Sequence, residues 1–180
     1  DLGSVDILVN GAGGNMDAAN TANEYHETDL DPEMRSFFSL DDSIISSVFS
    51  LNFMGALLPT QEFVSDMVKK DGCSILNVSS MASYNPLTKV LGYSAAKAAV
   101  NNLTSWLAVH FSHVGIRVNA VAPGFFSTTQ NKNLLFDKEG NLSARSKKII
   151  EGTPMGRFGV PQDLLGTVRY LVDPTMSGFV

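Results

Sequence analysis

The sequence Ser74-Ile-Leu-Asn-Val-Ser-Ser-Met-Ala-Ser-Tyr84, followed by Gly92-Tyr-Ser-Ala-Ala-Lys97, decides which fold we expect for this chain of 180 residues. The apolar run from Ser74 to Val78 predicts a buried strand, and the small polar residues after it release the chain at the carboxyl end of that strand. Open parallel sheets bind their ligands at this end of the strands. We therefore expect a functional site directly after Val78.

A helical pattern begins near Gly92 and places Tyr93 and Lys97 four residues apart on one helix face. With Ser80, a hydroxyl, a phenol and an ammonium would then meet in one crevice. Such a trio can exchange a proton with the oxygen of an alcohol or ketone, because a neighbouring ammonium favours the phenolate form of a tyrosine. The pair alone leaves an alternative open, in which Tyr93 is a helix-start aromatic and Ser80 a turn residue.

The spacing of these residues resembles that of the short-chain dehydrogenase/reductase family, in which serine and tyrosine stand thirteen residues apart, as Ser80 and Tyr93 do here. The resemblance covers nearly the whole chain. Upstream, Asp6 to Gly13 resembles the Asn-Asn-Ala-Gly strand end of the family, with Gly11 where a second Asn is usual. Asn52 matches the fourth catalytic position, and the segment from Gly115 to Thr128 resembles the part that embraces the nicotinamide.

The resemblance implies an α/β fold with a Rossmann-like, doubly wound parallel sheet. It also implies hydride transfer between NAD or NADP and a secondary alcohol or ketone. Tyr93 would be the acid/base, Lys97 would favour its phenolate and bind the nicotinamide ribose, and Ser80 would orient the substrate oxygen. Asn52 would support a proton relay through water. The implied cofactor contacts are Asn10, Gly11, Ala12, Gly13, Tyr93, Lys97, Pro123, Gly124, Phe126 and Thr128.

The first strand signal, Val5 to Val9, corresponds to the fourth strand of the family. We therefore expect residues 1–180 to form one partial domain that lacks the preceding strands and the last strand. The turn that holds the pyrophosphate, and the residue that separates NAD from NADP, would lie in the missing part. Gly11 to Gly14 could itself be that turn, but the fingerprint requires an immediate helix, and Asn15 to Asp31 lacks helical apolar spacing.

Two polar segments frame the expected site. The segment from Asn15 to Phe38 could hydrogen-bond a polyhydroxylated substrate or be a solvated surface insertion, and the sequence leaves both possibilities open. In the family, the segment from Ser127 to Ile150 covers the substrate as a lid. The remaining pattern predicts helices over 41–70, 92–113 and from Pro161 through Val172, and a strand over Ile116 to Val121.

Several stretches resemble a narrower group in the family, the D-mannonate oxidoreductases (fructuronate reductases): 10–15, 51–61, 106–111 and 123–126. This implies an acyclic sugar acid whose hydroxyls meet Asn15, Ser80 and Gln130. Its carboxylate would meet a lid cation, with Arg145 preferred for its bidentate fork. Gluconate or glucose dehydrogenases and 3-oxoacyl-carrier ketoreductases are alternatives, and a non-catalytic Rossmann-like binding protein is the alternative from another class. The candidate cations are Lys132, Arg145, Lys147 and Lys148.

Composition and charge indicate which partners, compartment and metal sites to expect. With 44% hydrophobic residues the chain can bury one core, and a net charge of −5 offers no footprint for nucleic acid or an anionic membrane. We expect no apolar run of membrane-spanning length. The single Cys73 fits a reducing compartment, so we expect a cytoplasmic protein. His110 and His113 lack a third ligand nearby, so no metal is expected. The resemblance implies a homotetramer or homodimer.

Overall fold

The computed structural model describes residues 3–85, 87–129 and 131–180, and its strands form one parallel sheet in the order β1-β2-β3. The strands are β1 (Ile7–Asn10), β2 (Ser74–Val78) and β3 (Arg117–Val121). The predicted bounds of β2 are confirmed. The first strand begins and ends later than the apolar run suggested, because the ladder pairs Ile7 with Ser74 and continues to Asn10.

Helices follow each strand and alternate with it, as expected for a parallel sheet. Asp41 caps α1: its carboxylate accepts hydrogen bonds from the backbone N–H groups of Ser43 at 2.8 Å and Ile44 at 3.4 Å. Helix α2 ends three residues before the predicted His113, because a separate 3₁₀ turn, Ser112–Val114, leads into β3. The helices are α1 (Asp42–Met67), α2 (Leu91–His110), α3 (Lys132–Leu135), α4 (Ala144–Glu151), α5 (Gln162–Val172) and α6 (Pro174–Ser177).

The sheet is covered on both faces, which is the doubly wound arrangement that the sequence predicted. On one face α1 and α2 pack against Ile75 of β2, and on the other α5 packs against Leu76. Neighbouring residues of β2 are therefore buried on opposite sides of the sheet. The first core comprises Leu8, Val64, Met67, Cys73, Ile75, Leu107, Ile116 and Val118, and the second comprises Leu76, Val121 and Leu171.

A ladder of buried polar side chains joins the two helices of the first face to the sheet. The side-chain Nδ2 of Asn10 donates to the Thr60 hydroxyl of α1 at 2.9 Å and to the side-chain Oδ1 of Asn77 at 2.8 Å. The Asn77 amide in turn donates to the Thr104 hydroxyl of α2 at 2.8 Å. Buried hydrogen bonds of this kind are costly to break, so the ladder fixes how α1 and α2 sit on the strands.

Helix α1 corrects one expectation, because it is long and apolar enough by length and composition to cross a membrane. A single helix of this kind is a weak indication, since the buried core helix of a soluble protein can pass the same test; of the apolar stretch of α1, 22% is buried within the part of the chain that the structure describes. Here α1 packs on β1 and α2 and buries the polar side chains of Asn52 and Thr60.

Candidate active site

Three loops meet at the carboxyl ends of the strands: Gly11 to Gly14 after β1, Ser79 and Ser80 after β2, and Ala122 to Gly124 after β3. Backbone hydrogen bonds connect the second loop to the third, from the Ser79 N–H to the Val121 carbonyl at 2.8 Å and from the Met81 N–H to the Pro123 carbonyl at 3.1 Å. The topology thus brings together segments that stand far apart in the sequence.

Lys97 lies at the centre of these loops. Its side chain is buried, and its ammonium Nζ donates to the Val78 carbonyl at the end of β2 at 2.8 Å. The same Nζ lies 5.8 Å from the centroid of the Tyr93 ring, one helical turn earlier on α2. Burial lowers the pKa of Lys97, because removal from water disfavours the charged ammonium. The pair therefore lies together on one helix face, as its spacing predicted.

Asn52 is held by both ends of its side-chain amide. Its Nδ2 donates to the carbonyl of Gly14 at 2.7 Å and to that of Val48 at 2.8 Å, while its Oδ1 accepts from the Gly14 N–H at 3.1 Å. The side chain is 1% exposed. Asn52 therefore fixes the loop after β1 to α1, a structural contribution that it makes whether or not it also supports a proton relay.

Gly13 lies between Asn52 and Lys97. A Cβ atom at this position would stand 2.6 Å from Oδ1 of Asn52, which is shorter than real Cβ contacts, and 3.0 Å from Nζ of Lys97, which is tighter than nine in ten of them. The sequence suggested a small residue here because of a nearby cofactor. The structure adds an independent reason, since two side chains of the same chain already fill the space that a larger residue would need.

Ser80 and Tyr93 provide the hydroxyl and the phenol of the site. Ser80 is buried, and its Oγ accepts a hydrogen bond from the Ala82 N–H at 3.2 Å. A hydroxyl that accepts from the backbone still has its own proton to donate. Tyr93 is half-buried in the first turn of α2, next to Gly92, which is buried against Ile45 of α1.

Asn131 shapes the segment after β3, and the sequence reasoning missed it. Its Nδ2 donates to the Phe126 carbonyl at 2.7 Å, and its Oδ1 accepts from the Thr128 N–H at 2.9 Å. Its position directly before α3, where Asn is a common helix cap, was the signal that could have identified it. Gln130, which the sequence suggested as a substrate contact, lies outside the described residues.

The segment from Asn15 to Phe38, which we call the insertion, contacts both helix α4 and the loop before α2. Glu24 pairs with Lys148 of α4 at 2.5 Å, and this hydrogen bond lowers the pKa of Glu24 and raises that of Lys148. The Thr21 N–H donates to the Lys89 carbonyl at 3.1 Å. Lys148 is thus already paired, whereas Arg145 is exposed in the first turn of α4.

The Asn15 side chain bonds within the insertion, where its Nδ2 donates to the side-chain Oδ1 of Asn20 at 2.9 Å. The histidines considered for metal binding lie elsewhere: His110 stacks on Trp106 with ring centroids 4.4 Å apart. Across residues 3–85, 87–129 and 131–180 there is no group of three or more His, Cys, Asp or Glu side chains that could hold a metal ion.

The sequence profile of the short chain dehydrogenases matches residues 1–139, which include all three strands and the Ser80, Tyr93 and Lys97 constellation. The chain belongs to the short-chain dehydrogenase family. The match to the family profile agrees with the parallel sheet of the structure and with the motifs that resemble those of the family.

Two sequence relatives and one solved structure illustrate what the chain is similar to. An uncharacterized oxidoreductase of Haemophilus influenzae is 55% identical over 180 residues, which cover 100% of this chain and 63% of the relative. A 2-dehydro-3-deoxy-D-gluconate 5-dehydrogenase of Dickeya dadantii is 33% identical over 172 residues, 95% of this chain and 59% of the relative. The chain therefore spans about six tenths of the length of these proteins.

The solved structure is a Haemophilus protein provisionally named D-mannonate oxidoreductase, crystallised with bound NAD. It superposes with a TM-score of 0.94 and is 55% identical, covering 100% of this chain and 64% of that one. The strands, helices and connecting loops described above therefore recur in an experimentally determined dinucleotide-binding protein.

Proposed function

We propose that the protein containing this chain is an oxidoreductase that transfers a hydride between a nicotinamide dinucleotide and the carbon of a secondary alcohol or ketone. The observation that carries the proposal is the position of Lys97. Its buried ammonium lies between the Val78 carbonyl and the Tyr93 ring, beside Gly13 and Asn52, at the carboxyl ends of parallel strands. A buried ammonium is costly, and here it lies where it can act on a phenol.

In this proposal Tyr93 exchanges a proton with the substrate oxygen, and the Lys97 ammonium stabilises the phenolate that results. Ser80 donates a hydrogen bond to the same oxygen and keeps its proton, which is available because the Ser80 Oγ only accepts from the Ala82 N–H. When bound at these residues, a nicotinamide dinucleotide would supply or accept the hydride. The alternative without catalysis, a Rossmann-like binding protein, does not need a desolvated lysine beside a tyrosine.

The residues at the strand ends fit the nicotinamide half of such a cofactor. A Cβ atom added to Gly11 or Gly124 would meet no atom within 4 Å, so both glycines border open space. Asn131 binds the carbonyl of Phe126 and the N–H of Thr128. We therefore propose the Phe126 N–H and the Thr128 hydroxyl as the groups that a ligand would use. Asn10 would contribute through its backbone, because its side chain belongs to the buried ladder.

The remaining proposed cofactor contacts, Ala12, Gly13, Pro123, Tyr93 and Lys97, lie on the same three loops or on α2 beside them. NAD is the first cofactor to test because the Haemophilus structure contains NAD. NADP is the alternative cofactor.

We propose a sugar acid, D-mannonate or D-fructuronate, as the substrate. The proposal rests on the name of the Haemophilus protein, on a relative that acts on 2-dehydro-3-deoxy-D-gluconate, and on the polar insertion and cationic lid. Arg145 is the preferred partner of the carboxylate, because Lys148 is paired with Glu24. The other proposed contacts of the substrate are Asn15, Ser80 and Gln130.

The test is a substrate screen of the full-length protein with NAD and NADP, in which the absorbance of the reduced nicotinamide is followed. The panel contains D-mannonate, D-fructuronate, gluconate, glucose, a neutral ketose and a 3-oxoacyl thioester. Turnover of the sugar acids above the neutral sugars would support the proposal. Preference for the thioester or the neutral ketose would reject the sugar acid, and the absence of any turnover would favour a binding protein.

An alanine scan of the lid cations tests the contact with the carboxylate. A charge-assisted hydrogen bond contributes roughly 1.5–3 kcal/mol, so removing the right cation should lower kcat/KM for fructuronate about 10- to 150-fold. Turnover of the neutral ketose provides the control. If none of the four variants loses the acid preferentially, the carboxylate is bound elsewhere. The variants replace Lys132, Arg145, Lys147 or Lys148.

We also propose that the protein is a cytoplasmic homodimer or homotetramer that associates through α1 and α2. Large apolar side chains on these helices are exposed in the single chain, among them Leu58, Phe63, Trp106 and Val109. Light scattering of the full-length protein tests this, and Val109→Glu, which places a charge on a side chain that is 76% exposed, should shift it toward the monomer. A monomeric wild type would contradict the proposal.

A further inference from the structure

A chain of hydrogen bonds runs behind Ser80 and ends on its backbone. The Ser79 hydroxyl donates to Oδ1 of Asn101, Nδ2 of Asn101 donates to the Ser83 hydroxyl at 2.8 Å, and the Ser83 hydroxyl donates to the Ser80 carbonyl at 2.5 Å. Ser79 is buried, and Ser83 and Asn101 are half-buried. None of these three residues was identified from the sequence as part of the site.

The direction of the chain is fixed by its chemistry. Each hydroxyl has one proton, and the Ser80 carbonyl can only accept, so Ser83 must donate to Ser80 and receive from Asn101. The side-chain Oδ1 of Asn101 then accepts the hydrogen bond from the Ser79 hydroxyl. The Ser79 hydroxyl also lies 3.3 Å from the Ser83 hydroxyl and 3.4 Å from the Lys97 carbonyl, which are longer contacts. An amide is the side chain that can accept at one end and donate at the other.

Asn101 lies on α2 one turn after Lys97 and two turns after Tyr93. The hydrogen bonds therefore connect the loop that carries Ser80 to the helix that carries the phenol. A second link between the same elements is the bond from Lys97 to the Val78 carbonyl. One link binds Val78, before Ser80 in the sequence, and the other binds Ser83, after it. These two links to α2 fix the distance between the Ser80 hydroxyl and the Tyr93 phenol.

We propose that Asn101 is a positioning residue for the reaction, which acts through Ser83 to hold the Ser80 loop in register with Tyr93. The inference rests on the proposed function, because it assumes that Ser80 orients the substrate oxygen. Small displacements of a group that must meet both substrate and acid/base slow the chemical step. Asn101, Ser83 and Ser80 are not among the proposed cofactor contacts, so the cofactor should bind as before.

The experiment compares Asn101→Asp, Ser83→Ala and the double variant in the full-length protein. Aspartate has nearly the same shape and can accept from Ser79, but it cannot donate to Ser83. Ser83 would then turn toward the carboxylate and release the Ser80 carbonyl. Each single variant should lower kcat about 3- to 10-fold, the range for one net hydrogen bond, with KM for NAD unchanged. The double variant should be no slower than the slower single variant, because both break the same bond to Ser80.

Two further variants control for charge and for the loss of a side chain. Asn102→Asp adds the same charge to the next, exposed position of α2 and should leave kcat unchanged. Ser83→Thr retains the hydroxyl and should keep kcat within about 2-fold of wild type, whereas Ser83→Ala should not. Thermal unfolding of every variant shows whether it is folded, and if Asn101→Asp does not fold, the comparison of Ser83→Ala with Ser83→Thr decides.

Ser80→Ala separates failure of this inference from failure of the proposed function. If Ser80→Ala leaves kcat unchanged, Ser80 does not orient the substrate and the proposed mechanism is wrong. If Ser80→Ala lowers kcat by about 100-fold or more while Asn101→Asp and Ser83→Ala do not lower it, the mechanism stands and the positioning role is overturned. Additive losses in the double variant, or a raised KM for NAD with an unchanged kcat, would also overturn it.

Discussion

Replacing Gly13 by alanine tests how the centre of the site is packed. The added Cβ would lie 2.6 Å from Oδ1 of Asn52, which would have to retreat by about 0.8 Å to reach an ordinary contact of 3.4 Å. The Asn52 hydrogen bonds to Gly14, at 2.7 and 3.1 Å, cannot survive such a shift unchanged. Overpacking of a filled site typically costs about 1–3 kcal/mol, and we expect this loss of unfolding free energy.

Urea unfolding of the full-length protein measures the effect, and the neighbouring glycine provides a matched control. A Cβ at Gly14 would meet only Cδ2 of Leu51 at 3.8 Å, so Gly14→Ala should change stability by no more than about 0.5 kcal/mol. Asn52→Ala removes the atom that clashes. In that background Gly13→Ala should cost less than in wild type, with a coupling energy of about 1 kcal/mol or more.

Two results would refute this reasoning. If Gly13→Ala is as mild as Gly14→Ala, the space beside Gly13 is not filled as the structure shows. If the effects of Gly13→Ala and Asn52→Ala add to within about 0.5 kcal/mol, the two residues do not contact each other and Asn52 does not hold the loop after β1.

Three further predictions concern single side chains. Burial lowers the pKa of Lys97 below its ordinary value of 10.5, so the folded state releases this proton at a lower pH than the unfolded state does. The stability of wild type relative to Lys97→Met should therefore rise with pH toward 10.5. Urea unfolding at several pH values measures this difference in stability, and a flat or falling difference would contradict the prediction. The thiol of Cys73 is buried, and burial raises its pKa, so a thiol reagent should label it only as the protein unfolds; rapid labelling of the folded protein would show that it is accessible. Glu24→Gln removes the ion pair with Lys148 and should speed tryptic cleavage in α4. Glu27→Gln, which also lies in the insertion, should not change the rate of cleavage. Equal cleavage rates in the two variants would show that the ion pair does not hold the lid.

The strands and helices were largely predictable because their signals are local. Three of the five residues from Ser74 to Val78 are aliphatic, and Asp41 stands at the start of the helical pattern, where a cap is expected. The spacing of Tyr93 and Lys97 needed only the geometry of one helix. These features depend on a few neighbouring residues, so they can be read without knowledge of the rest of the fold.

The partners of individual side chains were not predictable, since they come from segments far apart in the chain. Asn10 and Thr60 are fifty residues apart, and Glu24 and Lys148 are 124 apart. The sequence made Asn10 a candidate for cofactor binding and Lys148 a candidate for substrate binding. It shows the residue types, but not the hydrogen bonds and ion pairs that these side chains already make with other parts of the chain. The same limitation concealed Asn101, whose role depends on two serines of another loop.

The most direct test of the proposed function is the rate of NAD reduction by the full-length protein with D-mannonate, measured for wild type and for Tyr93→Phe, with calorimetric binding of NAD to both. We expect wild type to reduce NAD, and Tyr93→Phe to be slower by at least about 100-fold, the lower range of general acid–base catalysis, while NAD binding is retained. Equal rates for the two proteins would contradict the assignment of Tyr93 as the acid/base. If wild type oxidises or reduces none of the alcohols and ketones of the panel with either cofactor, the proposed oxidoreductase activity itself is wrong.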